Sequence, residues 1–139
     1  MTIQYIQLYT DSKLPDILEL KPFRSVLIIE DLVAEEWQLK ESDWLVASGC
    51  LYMMAWGKNC SSWDGSVDLA SLKEFSNEEI PDDKLVMTTW HENEPLKDVY
   101  FFSKHSATHP EVKIDNTLLL HISRGNKEKD FLIDYERAM

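Results

Sequence analysis

The chain has 139 residues, of which 44% are hydrophobic, and this composition suits one domain with its own core. Its formal charge of −11 argues against sequence-independent attraction to nucleic-acid phosphates or anionic membranes. No apolar stretch approaches the roughly 18 residues of a membrane span, and the first residues lack the features of a signal peptide. We therefore expect a cytoplasmic protein. Its acidity favours a basic protein as partner, or serves solubility alone.

The first part of the chain predicts one edge strand and one strand–helix pair. Residues 3–9 (IQYIQLY) alternate in polarity, which indicates an edge strand. Residues 25–30 (SVLIIE) form a nearly unbroken apolar run, which indicates a buried strand. The segment after it has helical periodicity, with Asp31 as the expected N-cap and Gly49 just beyond the expected C-terminus.

The strand–helix alternation then repeats. Residues 50–56 (CLYMMAW) predict a second buried strand, followed by a helix over 64–75. Residues 84–90 (KLVMTTW) predict a third strand, a helix follows Pro95, and residues 116–123 (NTLLLHIS) predict a fourth strand. Strands that alternate with helices and lack polar alternation are typical of parallel sheets. We predict an α/β fold, a three-layer α/β/α sandwich with a mostly parallel sheet of about four to five strands.

Nothing divides the chain, since it has no repeat and no low-complexity linker, so we expect a single α/β domain over residues 1–139. Residues 1–24 supply the edge strand and an irregular lead-in, and residues 25–123 form the repeating core. Residues 124–139 end in apolar side chains, which predicts a docked terminal strand or helix. Cys50 and Cys60 flank an extended strand, so we expect both thiols to be reduced.

A binding site is predicted at the carboxyl ends of the strands, because loops and helix N-termini converge there in open parallel sheets. We call this end of the sheet the rim. Aromatic and acidic side chains dominate it: Glu30, Asp31, Trp56, Cys60, Trp63, Asp64, Trp90, His91, Glu92 and Glu94. The rim tryptophans either anchor a protein partner or cap the open end of the core. Trp37 and Trp44, seven residues apart on the first helix, are expected to face the sheet.

The rim predicts a module that binds a basic protein, of the inhibitor or immunity type. The expected binding residues are Trp56, Trp63, Trp90, Glu30, Asp31 and Glu92. The alternative is a small hydrolase or transferase in which Cys60 is the nucleophile and His91 the base. Asp64 or Glu92 would then orient the imidazole. A reactive thiol of low pKa would favour the enzyme, and an inert one would favour binding.

A divalent metal site is a further candidate at the same rim, with the ligands Glu30, Asp31, His91 and Glu92. Carboxylates and imidazole are common metal ligands, but the spacing matches no metal motif, and helix capping accounts for Asp31 and Asp64. The sequence also lacks the glycine-rich motifs that bind the phosphates of nucleotides. We expect no metal and no cofactor. His121 lies inside a predicted strand and is expected to be a hydrogen-bonded core histidine.

Two stretches resemble a known family. They are SDWLVASGCLYMMAWGKNCSSWDGSVDLASL (residues 42–72) and VMTTWHENEPLKDVYFFSKH (residues 86–105). Both are similar to a family of small uncharacterised bacterial proteins, and the similarity spans about residues 23–123. The resemblance implies a bacterial, single-domain protein and brings no established activity with it.

A second, shorter resemblance concerns the first buried strand. VLIIED (residues 26–31) followed by a helix is similar to the first strand and acidic pair of phospho-receiver domains. A receiver has its phospho-accepting aspartate after the next main strand, where this chain has Trp56 and Gly57. Its lysine follows the last strand, where this chain has Ser123 and Arg124. The receiver function is therefore not carried over.

Overall fold

The computed structural model describes residues 2–138, which form a parallel sheet with helices in its connections. The elements are β1 (Thr2–Leu8), β2 (Phe23–Ile29), α1 (Glu35–Ala47), β3 (Cys50–Gly57), α2 (Ser62–Glu74), β4 (Met87–His91), α3 (Leu96–His105), β5 (Asn116–Ile122) and α4 (Glu128–Arg137). The strand order is β1-β5-β2-β3-β4, and all neighbouring strands are parallel. The predicted α/β fold with a mostly parallel sheet is confirmed. Within the described residues, no helix combines the length and apolar character that a membrane crossing requires.

The central strand β2 shows why this sequence forms a parallel sheet. All seven of its residues are buried, so it has no polar face to present to water. Its alternate side chains enter two different core clusters. Leu27 and Ile29 belong to the cluster that holds the buried apolar residues of α1 and α2. Val26 and Ile28 belong to the cluster that holds those of α3 and α4, and this division favours the predicted layered arrangement.

Two helix starts differ from the prediction. The N-cap of α1 is Ala34, and the Asp31 carboxylate instead accepts the backbone N–H of Arg124, 2.9 Å away. The helix α2 begins at Ser62, so Asp64 lies inside its first turn and does not cap it. In both cases the tertiary structure offers the carboxylate a partner outside the helix. Gly49 follows the C-terminal end of α1 as predicted, with a left-handed φ of +102°.

The helix α4 packs onto the sheet, because Phe131 and Tyr135 are buried in the core. Both cysteines are free and buried. Trp37 is buried in the core, and Trp44 is half-buried with its indole N–H donating to the carbonyl oxygen of Pro15 at 2.7 Å.

One buried carboxyl group on α1 was not singled out in the sequence. Glu41 is fully buried, and neither of its carboxyl oxygens has a hydrogen-bond partner within residues 2–138. Burial raises the pKa of Glu41 to about 8. The group is therefore protonated at neutral pH.

Candidate functional site

The parallel register aligns the strand ends and so assembles the predicted rim. Trp56 at the end of β3 is level with His91 of β4, and Ile29 of β2 is level with Gly57 and Ile122. The rim has two halves. We call the ends of β3 and β4 the open half, with Trp56, Cys60, Trp90, His91, Glu92 and Glu94. We call the ends of β2 and β5 the closed half, with Glu30, Asp31, His121, Arg124 and Lys127.

The open half contains a shallow depression of about 470 Å³. It is lined by residues from the two loops after β3 and β4: Trp56, Gly57, Asn59, Cys60, Ser61, His91, Glu92, Asn93 and Glu94. Gly57 allows these loops to lie close to β2, because it has φ of +106° and a Cβ there would lie 2.2 Å from the Ile29 carbonyl oxygen. A glycine at this position therefore determines where the first loop leaves the sheet.

His91 lies in the depression with both ring nitrogens engaged. Its Nδ1 is 2.9 Å from Glu94 Oε1, and its Nε2 is 2.9 Å from Thr89 Oγ1. The ring is buried and packs edge-on against Phe102, with the centroids 5.0 Å apart. The imidazole is thus oriented by Glu94 and Thr89, and neither nitrogen is directed to a thiol.

Cys60 lines the same depression but is not activated. Burial raises the pKa of its thiol, the backbone N–H of His91 lowers it in part, and the charge of Glu92 raises it further. The carboxylate of Asp64 accepts a hydrogen bond from the Thr88 hydroxyl. Within the described chain, no hydrogen bond links Cys60, the His91 ring and Asp64. This geometry does not favour nucleophilic catalysis by the three.

The three rim tryptophans have different environments. Trp56 is half-buried, and its indole N–H donates to the Glu94 carbonyl oxygen at 2.7 Å. Trp90 on β4 is 48% exposed. Trp63 is 1% exposed, so it is not available as the binding residue that the sequence predicted. Because α2 starts at Ser62, the indole of Trp63 packs into the core with Val67 one turn later.

The closed half is a hydrogen-bonded network around a buried histidine. His121 Nε2 is 2.5 Å from Glu30 Oε1, and His121 Nδ1 is 2.6 Å from the hydroxyl of Tyr5. The backbone N–H of Lys127 donates to that hydroxyl at 3.0 Å, and Lys127 Nζ donates to Glu30 Oε2 at 3.0 Å. A neutral imidazole satisfies every partner, with Nε2–H donating to Glu30 and Nδ1 accepting from Tyr5.

The pKa values in the network agree with that protonation state. Burial lowers the pKa of His121, and the hydrogen bond and charge of Glu30 oppose this only in part. Burial raises the pKa of Glu30, but the hydrogen bonds from His121 and Lys127 outweigh it and leave the pKa below its usual value. Glu30 and Asp31, both predicted as binding residues, therefore already have partners within the protein.

Sequence reasoning missed Tyr5 and Lys127 as rim residues. Tyr5 is separated from His121 by 116 positions, and no local pattern signals their contact. The only local signal was that Tyr5 is an aromatic residue within a predicted strand. The rim halves also keep the four metal candidates apart: Glu30 contacts His121, and His91 contacts Glu94. Across residues 2–138, no group of three or more His, Cys, Asp or Glu side chains is placed to hold a metal ion.

The fold and rim define an α/β protein with a parallel five-stranded sheet and a candidate site at the strand ends. The chain belongs to the family described as a domain of unknown function (DUF7684), whose model matches residues 3–138. The match extends beyond residues 23–123, where the sequence resemblance was placed. No curated protein and no solved structure matches the chain significantly.

Proposed function

We propose that the protein binds a basic protein partner through the open half of the rim, as an inhibitor or immunity-type protein in a bacterial cytoplasm. One observation carries the proposal. Trp90 holds a large aromatic side chain 48% exposed on a strand of the sheet, directly before the acidic loop. Exposed tryptophans with polar surroundings are typical of the side chains that concentrate binding energy in protein interfaces.

The charges around Trp90 support a basic partner. Glu92 is exposed, and no ion pair involves it within residues 2–138. Glu94 is half-buried and contacts His91 through one carboxylate oxygen. The formal charge of −11 adds long-range attraction for a cationic protein. Such attraction speeds encounter more than it slows dissociation.

The enzymatic alternative has weaker support. Cys60 and His91 share one depression, as a catalytic pair would require. However, the thiol pKa is raised and both imidazole nitrogens have other partners. A thiolate nucleophile needs a lowered pKa and a base within reach, and this arrangement supplies neither.

The test compares two exposed aromatic side chains. Wild-type protein, Trp90→Ala and Phe101→Ala are each used to capture partners, and binding rates to the recovered partner are measured across a salt series. Phe101 is the matched control because it is 50% exposed on α3, away from the rim. We expect Trp90→Ala to weaken binding by about 2 kcal/mol, roughly 30-fold, and Phe101→Ala to have little effect.

The salt series tests the electrostatic part of the proposal. The association rate should fall markedly from low to physiological salt, while the dissociation rate changes much less. A partner that is not basic, an association rate independent of salt, or equal effects of Trp90→Ala and Phe101→Ala would reject the proposed function.

A further inference from the structure

We infer that the basic partner docks as an additional β-strand along the outer edge of β4, and this inference rests on the proposed function. The partner segment is extended, with cationic side chains toward both of its ends and an apolar or small side chain beside Trp90. Addition of a strand to a sheet edge gives affinity through main-chain hydrogen bonds and specificity through alternate side chains.

The strand order leaves the edge of β4 available. β4 pairs with β3 on one side, and the described chain places no strand on its other side. Beyond the β3 pairing, no backbone–backbone hydrogen bond within residues 2–138 involves Met87–His91. Met87, Thr88 and Thr89 are half-buried, and Trp90 is exposed. An edge of this kind presents unpaired N–H and C=O groups to another chain.

Acidic side chains lie in the loops at both ends of this edge. Those before β4 are exposed: Glu78, Glu79, Asp82 and Asp83. Those after it are Glu92, which is exposed, and Glu94, which is half-buried. Five residues of strand span about 16 Å, so the two acidic loops are spaced for the two ends of a short extended segment. The loop before β4 also holds the exposed Lys84, and with four acidic residues it keeps a net negative charge. Negative charge at both ends of the edge favours a segment with Lys or Arg toward each of its ends.

At the opposite edge of the sheet, β1, the nearby cations already have acidic neighbours, since Asp31 accepts the backbone N–H of Arg124. The Arg124 guanidinium lies 5.0 Å from the ring centroid of Tyr9 and donates to its hydroxyl. Lys127 Nζ pairs with Glu30 Oε2 at 3.0 Å, and the backbone N–H of Lys127 donates to the Tyr5 hydroxyl. A basic segment would find paired charges at β1, whereas at β4 it would find Glu92, which has no ion pair within residues 2–138. Charge complementarity therefore favours the β4 edge for a basic strand.

The experiment uses a synthetic peptide as probe, Lys-Arg-Thr-Val-Thr-Val-Thr-Arg-Lys, with the full-length protein. Binding is followed by calorimetry, and amide hydrogen exchange of Met87–His91 is followed by NMR. We expect salt-sensitive binding and at least about tenfold slower exchange of the β4 amides that face away from β3. Trp90→Ala should weaken peptide binding about tenfold or more, and Phe101→Ala should leave it unchanged.

Two N-methylated peptides provide a matched control. Each carries N-methyl groups at alternate residues, in one of the two possible registers, so its composition and charge are the same. Strand addition uses the N–H groups on one side of the added strand only. We therefore expect one register to lose binding about tenfold or more and the other to retain it.

The outcomes separate the docking mode from the proposed function. Strand addition is overturned if the peptide binds without slowing exchange of the β4 amides, or if both methylated peptides still bind. In either case a captured basic partner whose binding depends on Trp90 still supports the proposed function. No peptide binding at low salt also overturns strand addition. Loss of Trp90 dependence for the captured partner rejects the proposed function itself.

Discussion

Each half of the rim has a strand followed by an acidic side chain, Glu30 after β2 and Glu92 after β4. The two halves differ in what later parts of the chain bring to them. In the closed half, Glu30 is hydrogen-bonded to His121 and Lys127. In the open half, Glu92 is exposed, and the described chain supplies it with no ion pair. An acidic residue at a strand end therefore stabilises the fold when other parts of the chain hydrogen-bond to it, and is available for binding when they do not.

The strand order explains this difference. β5 is inserted between β1 and β2, so its end and the start of α4 bring a histidine and a lysine to Glu30. β4 forms an edge of the sheet, so in the described chain no strand returns to cover the acids that follow it. The predictions below test this contrast, from the largest expected effect to the smallest.

The largest effect is expected from a buried rim tryptophan. Trp63→Ala should lower the free energy of unfolding by about 3–5 kcal/mol, because it leaves a large cavity beside Val67. Trp90→Ala should change it by less than about 1 kcal/mol, because that side chain is 48% exposed. Urea unfolding of both variants measures the difference. Equal destabilisation would mean that the open half is part of the core.

The closed half should be a stability element. His121→Leu should lower the free energy of unfolding by about 3 kcal/mol, because it leaves the Tyr5 hydroxyl and the Glu30 carboxylate without their buried partner. Partner binding should not change. His105→Leu is the control, since His105 is exposed on α3. Loss of partner binding in a folded His121→Leu protein would show that the two halves act together.

Glu41 provides a contrasting carboxyl group, buried without a partner. Because its folded pKa, about 8, lies above the usual value, the wild-type protein should lose stability as pH rises from about 4.5 to about 8. Glu41→Gln should remove this loss, with a gain over wild type that is about 2 kcal/mol larger at pH 6.5 than at pH 5. Chemical unfolding at both pH values measures it, and a pH-independent difference would contradict the assignment.

His121 and Glu30 in the closed half should give a pH dependence of stability opposite to that of Glu41. The folded pKa of His121 is lowered, so its contribution is lost as pH falls from about 6.5 toward that lowered pKa. The folded pKa of Glu30 is also lowered, so its contribution is lost below about 4.5. The free energy of unfolding of His121→Leu is subtracted from that of wild type at each pH. The difference should isolate the loss of stability below about pH 6.5 that comes from His121. A flat difference profile would show that the folded pKa of His121 is not lowered, and a difference that falls as pH rises through about 6.5 would show that His121 is protonated in the folded protein.

The smallest effect is expected at the Cys60 thiol. Because burial raises its pKa, alkylation of the native protein at neutral pH should be much slower than that of the unfolded chain. Cys60→Ser should leave partner binding unchanged, and mass spectrometry of labelled peptides measures the reactivity. Rapid, selective labelling of native Cys60 would favour the enzymatic alternative.

The sequence by itself determined the elements and the parallel sheet, because unbroken apolar runs alternate with helical periodicity, as β2 and β5 show. It also located the rim, since strand ends in a parallel sheet face one way. Helix starts were less certain: Asp31 and Asp64 are plausible caps by residue type, yet each has a tertiary partner. The helix α2 begins two residues earlier than predicted, and Trp63 in its first turn packs into the core.

Only the tertiary structure decided which half of the rim is open. The contact of Glu30 with His121 joins residues 91 positions apart, and its existence depends on β5 lying beside β2. The strand order depends on how whole helices and strands pack together. Hydrophobic periodicity cannot distinguish between strand orders, because it shows only which faces of each element are buried. The sequence therefore identified Glu30, Glu92 and Trp90 as equal candidates. The position of β5 in the sheet gave Glu30 a buried partner and left Glu92 and Trp90 exposed.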